Sequence, residues 1–490
     1  MELILSIDQG TTSSRAIIFD TDGTVLADER VELTQYYPKP GWVEQDADEI
    51  LKSVVKVCGA VVEKLGDRSK DIVAAGITNQ RESTVVWDRK SGRPLHRVIV
   101  WQCRRSSGIC DEIKGEGVEP VIREKTGLVV DPYFSATKLT WLLRNDEGLR
   151  KAAEKGQLCF GTIDSWLLYK LTGKHLTDFS NASRTLLFNI EKLDFDEDLL
   201  DIFGIPGGIL PEPRPSISLF GNIEKKWFGI EVPVYGVAGD QQASLFGHGC
   251  FEPGMAKNTY GTGCFLLMNV GERPCISRRG LLGTVAWVNG NRRTYALEGS
   301  VFIAGAVVKW LRDMLGVIED VSVSEELARS IPDNGGVYFV PAFVGLGAPY
   351  WNANCRGLIT GLTGGSGKAH VVRAALESIC YQAWEIVKAM EEDSGVSLRE
   401  LRVDGGVTEN EFVMQFQSDI LNKTVAKTYV TETTALGVAL MAGMGCGIFN
   451  DFSDVKRVVK YEKKYEPQMN SDKRNELLDG WKKAVKRTLM

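Results

Sequence analysis

Short runs of branched apolar residues, broken by turns, open the chain. Leu3-Ile4-Leu5-Ser6-Ile7 and Ala16-Ile17-Ile18-Phe19 are each of strand length, and the polar stretch between them predicts a tight turn joining two strands. Asp22-Gly23 precedes a third run, Val25 to Val31, so the start of the chain reads as a meander that opens a mixed sheet. From Asp46 to Leu65 the period changes, with Ile50, Leu51, Val54, Val55, Val57 and Val61 at helical spacing. A strand at Ile72–Ile77 ends in Thr78-Asn79-Gln80-Arg81-Glu82. Strand-like runs follow at Thr84–Trp87 and Val98–Trp101, and helical patterns at Ser135–Arg144 and Ile163–Leu171. This succession predicts α/β layering, with helices covering a central sheet.

A second strand runs into a turn at Val234–Gln242. Beyond it, His248 to Gly254 is rich in glycine and carries a proline, which predicts a domain boundary there and domains of residues 1–250 and 251–490. The second part opens with Met255–Tyr260, Gly261-Thr262-Gly263 and Cys264–Val270, again strand, turn, strand. That pattern echoes Gly10-Thr11-Thr12 and suggests two related lobes, each offering one hairpin to a shared cleft. Leu401 to Asp404 is a further strand ending in Gly405-Gly406, followed by a helical run from Asn410 to Leu421. Lys473 to Met490 reads as a solvated amphipathic helix closing the second lobe.

Composition narrows the class. At 490 residues the chain is too long for one ordinary core. Hydrophobic residues at 43% and charged residues at 25% are those of a globular protein. A net charge of −6 and a pI near 5.6 offer nothing to nucleic acid or an anionic membrane surface. Neither a signal peptide nor an apolar run of spanning length is evident, so a cytoplasmic location is expected. The ten cysteines, Cys58, Cys159, Cys250, Cys264, Cys380 and Cys446 among them, form no Cys-x-x-Cys pair and read as small buried hydrophobes. Four scattered histidines argue against a histidine-rich zinc site and leave a carboxylate as the better general base.

The candidate chemistry begins at Asp8-Gln9-Gly10-Thr11-Thr12-Ser13-Ser14-Arg15. Gly10 would let backbone N–H groups approach an anion, while Thr11, Thr12 and Ser13 add hydroxyl donors. Arg15 supplies a fixed positive charge, and Asp8 could hold a divalent metal directly or through its water. The turn suits the phosphates of a metal–nucleotide complex; the plain alternative is a polar hairpin with an incidental aspartate. Gly364-Gly365-Ser366-Gly367-Lys368 is not a P-loop, because Ala369 stands where a Ser or Thr must hold magnesium.

These turns, with Gly236–Gln242 and Tyr260–Gly263, resemble the actin, Hsp70 and sugar-kinase superfamily, and within it the FGGY family of carbohydrate kinases. Tyr133–Leu142 is similar throughout to that family's first signature. Gly357–Leu362 with His370–Glu377 is similar to its second. Asn79–Glu82, Trp101-Gln102 and Gly261–Phe265 resemble the branch that phosphorylates glycerol. The resemblance runs nearly end to end and implies an α/β fold of two RNase-H-like (actin-like ATPase) lobes around a cleft. It implies glycerol and ATP as substrates, Mg2+ with Asp8 and Asp240 as its carboxylates, and a homodimer or homotetramer.

Residue by residue, the resemblance makes Asp240 the base that takes the acceptor hydroxyl's proton. Arg81, Glu82, Tyr133 and Gln241 would bond the hydroxyls of a small triol, and Trp101 and Phe265 would wall its carbon edge. Thr11, Thr12, Ser13 and Arg15 would meet phosphates from the first lobe and Thr262 from the second, with Gly305, Gly406 and Asn410 around the nucleoside. Lys309 stands where relatives carry glutamine and could approach a phosphate instead. Asn222–Val232 lacks the Gly- and Arg-rich loop with which some relatives bind fructose 1,6-bisphosphate, so no such control is expected. Two alternatives stay open: a kinase of the same family acting on a longer polyol or ketose, and a nucleotide switch that binds proteins.

Overall fold

The structure, a computed structural model, describes residues 2–490. Numbering only the strands of its large sheet, the first lobe contains β1 (Leu3–Gln9), β2 (Ser13–Asp20), β3 (Val25–Glu32), β4 (Ile72–Asn79), β5 (Ile217–Ile223) and β6 (Val232–Gly239). Helix α1 (Ala47–Leu65) packs on it, started by the Asp46 side chain accepting from the backbone N–H groups of Asp48 and Glu49. The second lobe contains β7 (Met255–Tyr260), β8 (Cys264–Gly271), β9 (Leu282–Asn289), β10 (Arg292–Val301), β11 (Glu400–Asp404), β12 (Thr424–Thr428) and β13 (Tyr461–Tyr465).

The two lobes repeat one topology. The first orders its strands β3-β2-β1-β4-β6 and the second β10-β8-β7-β11-β12. In each, three antiparallel strands lead into two parallel ones. Parallel neighbours need long crossovers, and helices supply them. The two half-sheets meet at a single residue pair, Ile217 with Asn289, so little backbone bonding ties one lobe to the other.

Two helices make that joint instead. Helix α2 (Asp240–Gly247) follows β6, and α3 (Thr433–Gly445), far along the chain, returns to pack on β6, β4 and β1. Their backbones touch: a Cβ at Gly437 would lie 1.8 Å from the Ala243 carbonyl oxygen, so only glycine permits the crossing. Around it, Ile4, Phe19 and Ala238 share one apolar core with Leu267, Trp287, Leu436 and Met441.

Most expected elements recur within a residue or two of their bounds, including the helices Ser135–Asn145 and Ile163–Thr172 and the strands on either side of each glycine turn. The runs near residues 85 and 98 stand apart from the large sheet: Val85–Asp88 pairs with Leu158–Gly161, and Val98–Ile99 with Glu44–Gln45. The glycine-rich segment before Lys368 leads into a long helix, α4 (Lys368–Ser394), whose first residue is that exposed lysine. The terminal helix α5 (Ser471–Thr488) is anchored by Trp481, which is fully buried and stacks on Tyr381. All ten cysteines are free; eight are buried, and Cys275 and Cys446 are half-buried.

Candidate active site

Strand β4 ends at Asn79, and the chain then turns sharply, with Glu82 in the left-handed region at φ 61°. Strain of that kind persists where the surroundings fix it. Here the surroundings are a buried ionic cluster. Glu298 on β10 accepts from Arg81 at 2.5 Å (Nη1) and 3.1 Å (Nη2), and from Arg184 Nη2 at 3.1 Å. Glu82 accepts from Arg184 Nε at 2.6 Å. All four side chains are at most 3% exposed, so each charge is worth keeping only because the others neutralise it. Burial alone would push the Glu298 carboxyl up; the Arg184 and Arg81 guanidiniums outweigh it and hold it at about 2. At Glu82 burial wins, and its carboxyl sits above the usual range despite the same two cations.

Arg81 carries this cluster to Asp240. Its Nε lies 3.1 Å from Asp240 Oδ1, which also accepts the Gln241 backbone N–H at 2.7 Å. No described residue donates to Oδ2, and with 31% of the side chain exposed that oxygen is open to a ligand. Asp240 is the first residue of α2, where the helix's free N–H groups favour a negative charge. Tyr133 stands beside Arg81, its hydroxyl 3.4 Å from Nη2, and Trp101 meets Tyr133 edge-on with ring centroids 5.5 Å apart. Phe265 is half-buried and pairs across the ladder with Thr259. Arg81, Glu82, Trp101, Tyr133, Asp240 and Gln241 therefore form one connected patch.

The first turn is closed by the Gly10 N–H on the Ser13 carbonyl at 2.9 Å, and its Thr11 hydroxyl accepts the Trp101 indole N–H at 2.9 Å. Thr12 is exposed and Ser13 half-buried. Arg15 is engaged elsewhere: its guanidinium is paired with both Asp28 and Glu432. The Asp8 carboxylate, next to the end of strand β1, accepts no side-chain or turn hydrogen bond from a described residue. Burial, then the negative charges of Asp240 and Glu432, push its carboxyl up to about 7. The charges of Arg15 and Arg30 offset this only in part, and a crowd of carboxylates of this kind fits a divalent cation that keeps its waters and binds through one or two of them.

The second turn borders a cavity of about 600 Å³ whose lining includes Thr262, Gly305, Lys309, Gly406 and Asn410. The Gly261 and Thr262 carbonyls accept N–H groups from Ala304 to Ala306 at the start of helix α6 (Gly305–Asp313). A Cβ at Gly305 would come within 2.6 Å of the Gly261 oxygen, whereas one at Gly406 would meet nothing, leaving bare backbone against the cavity. Asn410 caps the helix Glu411–Leu421 through its side-chain oxygen, 3.0 Å from the Val413 N–H, while its amide NH2 donates at 3.4 Å to the Ser324 hydroxyl on the rim of the cavity. Lys309 is exposed and, among the described residues, forms no ion pair.

Three residues of this region escape sequence reasoning. Arg184 lies in a polar segment without periodicity. Glu298 directly follows the apolar run Tyr295-Ala296-Leu297, and that charge is a signal that could have flagged it, whereas Lys257 stands beside Asn258 and Thr259 in a half-polar strand and carries no such signal.

Two lobes of one repeated topology, joined by crossing helices and each ending a hairpin in a glycine–threonine turn, are the architecture of kinases with the actin-like ATPase fold. Residues 3–247 match the N-terminal domain, and residues 256–446 the C-terminal domain, of the FGGY family of carbohydrate kinases. The chain belongs to that family. It is 54% identical over its whole length to glycerol kinase 2 of Thermotoga maritima, covering 99% of that protein. It is 52% identical to the glycerol kinase of Bacillus subtilis, covering 98% of it. Among solved structures it resembles Plasmodium falciparum glycerol kinase with ADP, at a TM-score of 0.96 and 37% identity, over 100% of this chain and 99% of that one. Gluconate kinase of Lactobacillus acidophilus, at 23% identity and a TM-score of 0.90 over 99% and 97% of the two chains, shares the fold.

Proposed function

We propose that the chain transfers the γ-phosphoryl group of ATP to a terminal hydroxyl of glycerol, giving glycerol 3-phosphate and ADP. The observation that carries this reading is Asp240: one carboxylate oxygen held by Arg81 and the Gln241 N–H, the other open beside a small polar patch walled by aromatic rings. Glycerol is a short triol, and relatives alike over their whole length are glycerol kinases.

In this mechanism Arg81, Glu82, Tyr133 and Gln241 orient the triol against Trp101 and Phe265. Asp240 Oδ2 takes the proton of the attacking hydroxyl, whose oxygen bonds to the γ-phosphorus as the bond to the ADP oxygen breaks. Phosphoryl transfer has a loose transition state, so orientation and charge stabilisation supply most of the acceleration. Thr11, Thr12, Ser13 and Arg15 serve the phosphates from the first lobe and Thr262 from the second. Arg15 does so from within its two ion pairs. Gly305, Gly406 and Asn410 surround the nucleoside, and Lys309, on the same cavity, reaches toward a phosphate. A magnesium ion held by Asp8 and Asp240 would supply neutralising charge to the triphosphate.

The same reading assigns lobes of residues 1–250 and 251–490, a homodimer or homotetramer, and the cytoplasm, where ten free cysteines are at home. No helix of the described residues is long and apolar enough to cross a membrane. The test is ATP-dependent phosphorylation by the purified protein across glycerol, longer polyols and ketoses. Glycerol should be preferred, and Asp240→Asn should lower kcat by about 10²–10⁴-fold with the fold intact. Preference for a pentulose, or full turnover by Asp240→Asn, would refute the reading.

A further inference from the structure

Lys257 has no part in the mechanism above. On β7 the alternation sends Ala256 and Tyr260 into the second-lobe core and turns Lys257 and Thr259 to the opposite face. The Lys257 side chain is fully buried. Its Nζ donates to the Gln241 side-chain oxygen and, at 3.1 Å, to the Thr259 hydroxyl. Among the described residues no carboxylate lies within ion-pair distance of it. Burial draws its pKa down to about 8, against the more distant fields of Asp404 and Asp240.

A buried ammonium held only by neutral oxygens is costly, and an apolar side chain of similar volume would suit the strand better. What the lysine accomplishes is therefore to be found at its partner. Gln241 lies one residue beyond Asp240, and its side-chain NH2 has no partner among the described residues. An amide accepts at one end and donates at the other, so tying the oxygen to an ammonium leaves the NH2 to face the cleft.

We propose that Lys257 is a positioning residue of the acceptor site, locking the Gln241 amide so that it donates to a hydroxyl of the bound acceptor and cannot accept from it. A hydroxyl gripped in this way keeps its own proton for the adjacent Asp240 carboxylate; a reversed amide would compete for that proton. The lock also reaches across the joint, since Lys257 belongs to the first strand of the second lobe and Gln241 to the crossing helix.

The inference rests on the acceptor-site reading of Gln241, and steady-state kinetics with glycerol and MgATP varied separately test it. Lys257→Met should raise KM for glycerol about tenfold, the effect of losing one oriented hydrogen bond in a closed site. KM for ATP should move by less than about twofold, a split that general loosening of the fold would not produce. Because Lys257 acts through Gln241, Lys257→Met combined with Gln241→Ala should match Gln241→Ala alone. A wild-type KM for glycerol in Lys257→Met, or effects that multiply in the double variant, would overturn the inference. Gln241→Glu is an arm that does not depend on Lys257→Met folding: it keeps an acceptor for the ammonium but loses the donor. It should bind glycerol as poorly as Gln241→Ala; a wild-type KM there also overturns the proposal. A wild-type protein inert toward glycerol would overturn the functional reading, and this inference with it, whereas the variants sink the inference alone.

Discussion

Replacing Glu298 with glutamine removes one negative charge from between two buried guanidiniums while leaving side-chain volume almost unchanged. In the native cluster Glu298 accepts two bonds from Arg81 and one from Arg184. Glutamine keeps a single carbonyl oxygen and turns an NH2 toward one of the cations, so Arg184 is left with Glu82 alone and Arg81 with Glu82 and Asp240. Removing one partner from a buried ion pair costs about 3–5 kcal/mol, and the surviving acceptor points to the lower end of that range. Arg81 also loses the fork that aims its Nε at Asp240, so KM for glycerol should rise about tenfold or more. The assay is denaturant unfolding followed by circular dichroism, read as the shift in the first transition because a two-lobed chain need not unfold in one step. The pH dependence has a definite sign. With its native carboxyl held at about 2, Glu298 stabilises the fold above the unfolded value of 4.5 and loses that contribution as pH falls through about 2. The gap between wild type and variant should therefore narrow across that acid window. A variant with the wild-type midpoint and glycerol KM would refute the claim that this cluster holds Arg81 in place.

Gly305→Ala would set a Cβ 2.6 Å from the Gly261 backbone oxygen; it should raise KM for ATP while sparing KM for glycerol, and equal changes in both would contradict the division of the two sites. Trp101→Phe keeps an aromatic wall beside Tyr133 but loses the 2.9 Å bond to the Thr11 hydroxyl. The loss is about 1 kcal/mol, or roughly fivefold in kcat/KM for glycerol, and an unchanged value would show that the bond carries no weight in the reaction. In the loop from Glu224 to Glu231, Lys226 is already paired with Glu224 at 2.7 Å. Millimolar fructose 1,6-bisphosphate should leave the initial rate unaltered, and strong inhibition would place an anion site where none is expected.

Local patterning determined a large part of this protein. Alternating and branched runs marked the strands on both sides of each glycine turn, because a strand buried on one or both faces must be apolar in a short period. Asp46 and the spacing from Ile50 to Val61 marked helix α1 for the same kind of reason. Helix α4 escaped the pattern: Val372, Ala374, Leu376, Ile379 and Cys380 bury several of its faces, so no stripe stands out. The candidate residues around Asp240 came from the resemblance of the motifs to those of the carbohydrate-kinase family, not from periodicity or spacing.

What the chain could not disclose by itself is pairing across distance. Nothing local joins Arg81 and Arg184 to Glu298, Arg15 to Glu432, or Lys257 to Gln241; each partner lies on a different element or lobe. Sequence records which charges exist, but the price of burying them is settled only by what the folded chain sets within three ångströms. The joint between the lobes is of the same kind, since Gly437 has meaning only where a second helix crosses it. The types of residue at this site were written in order along the chain, and their contacts were decided by the way two repeated lobes come together.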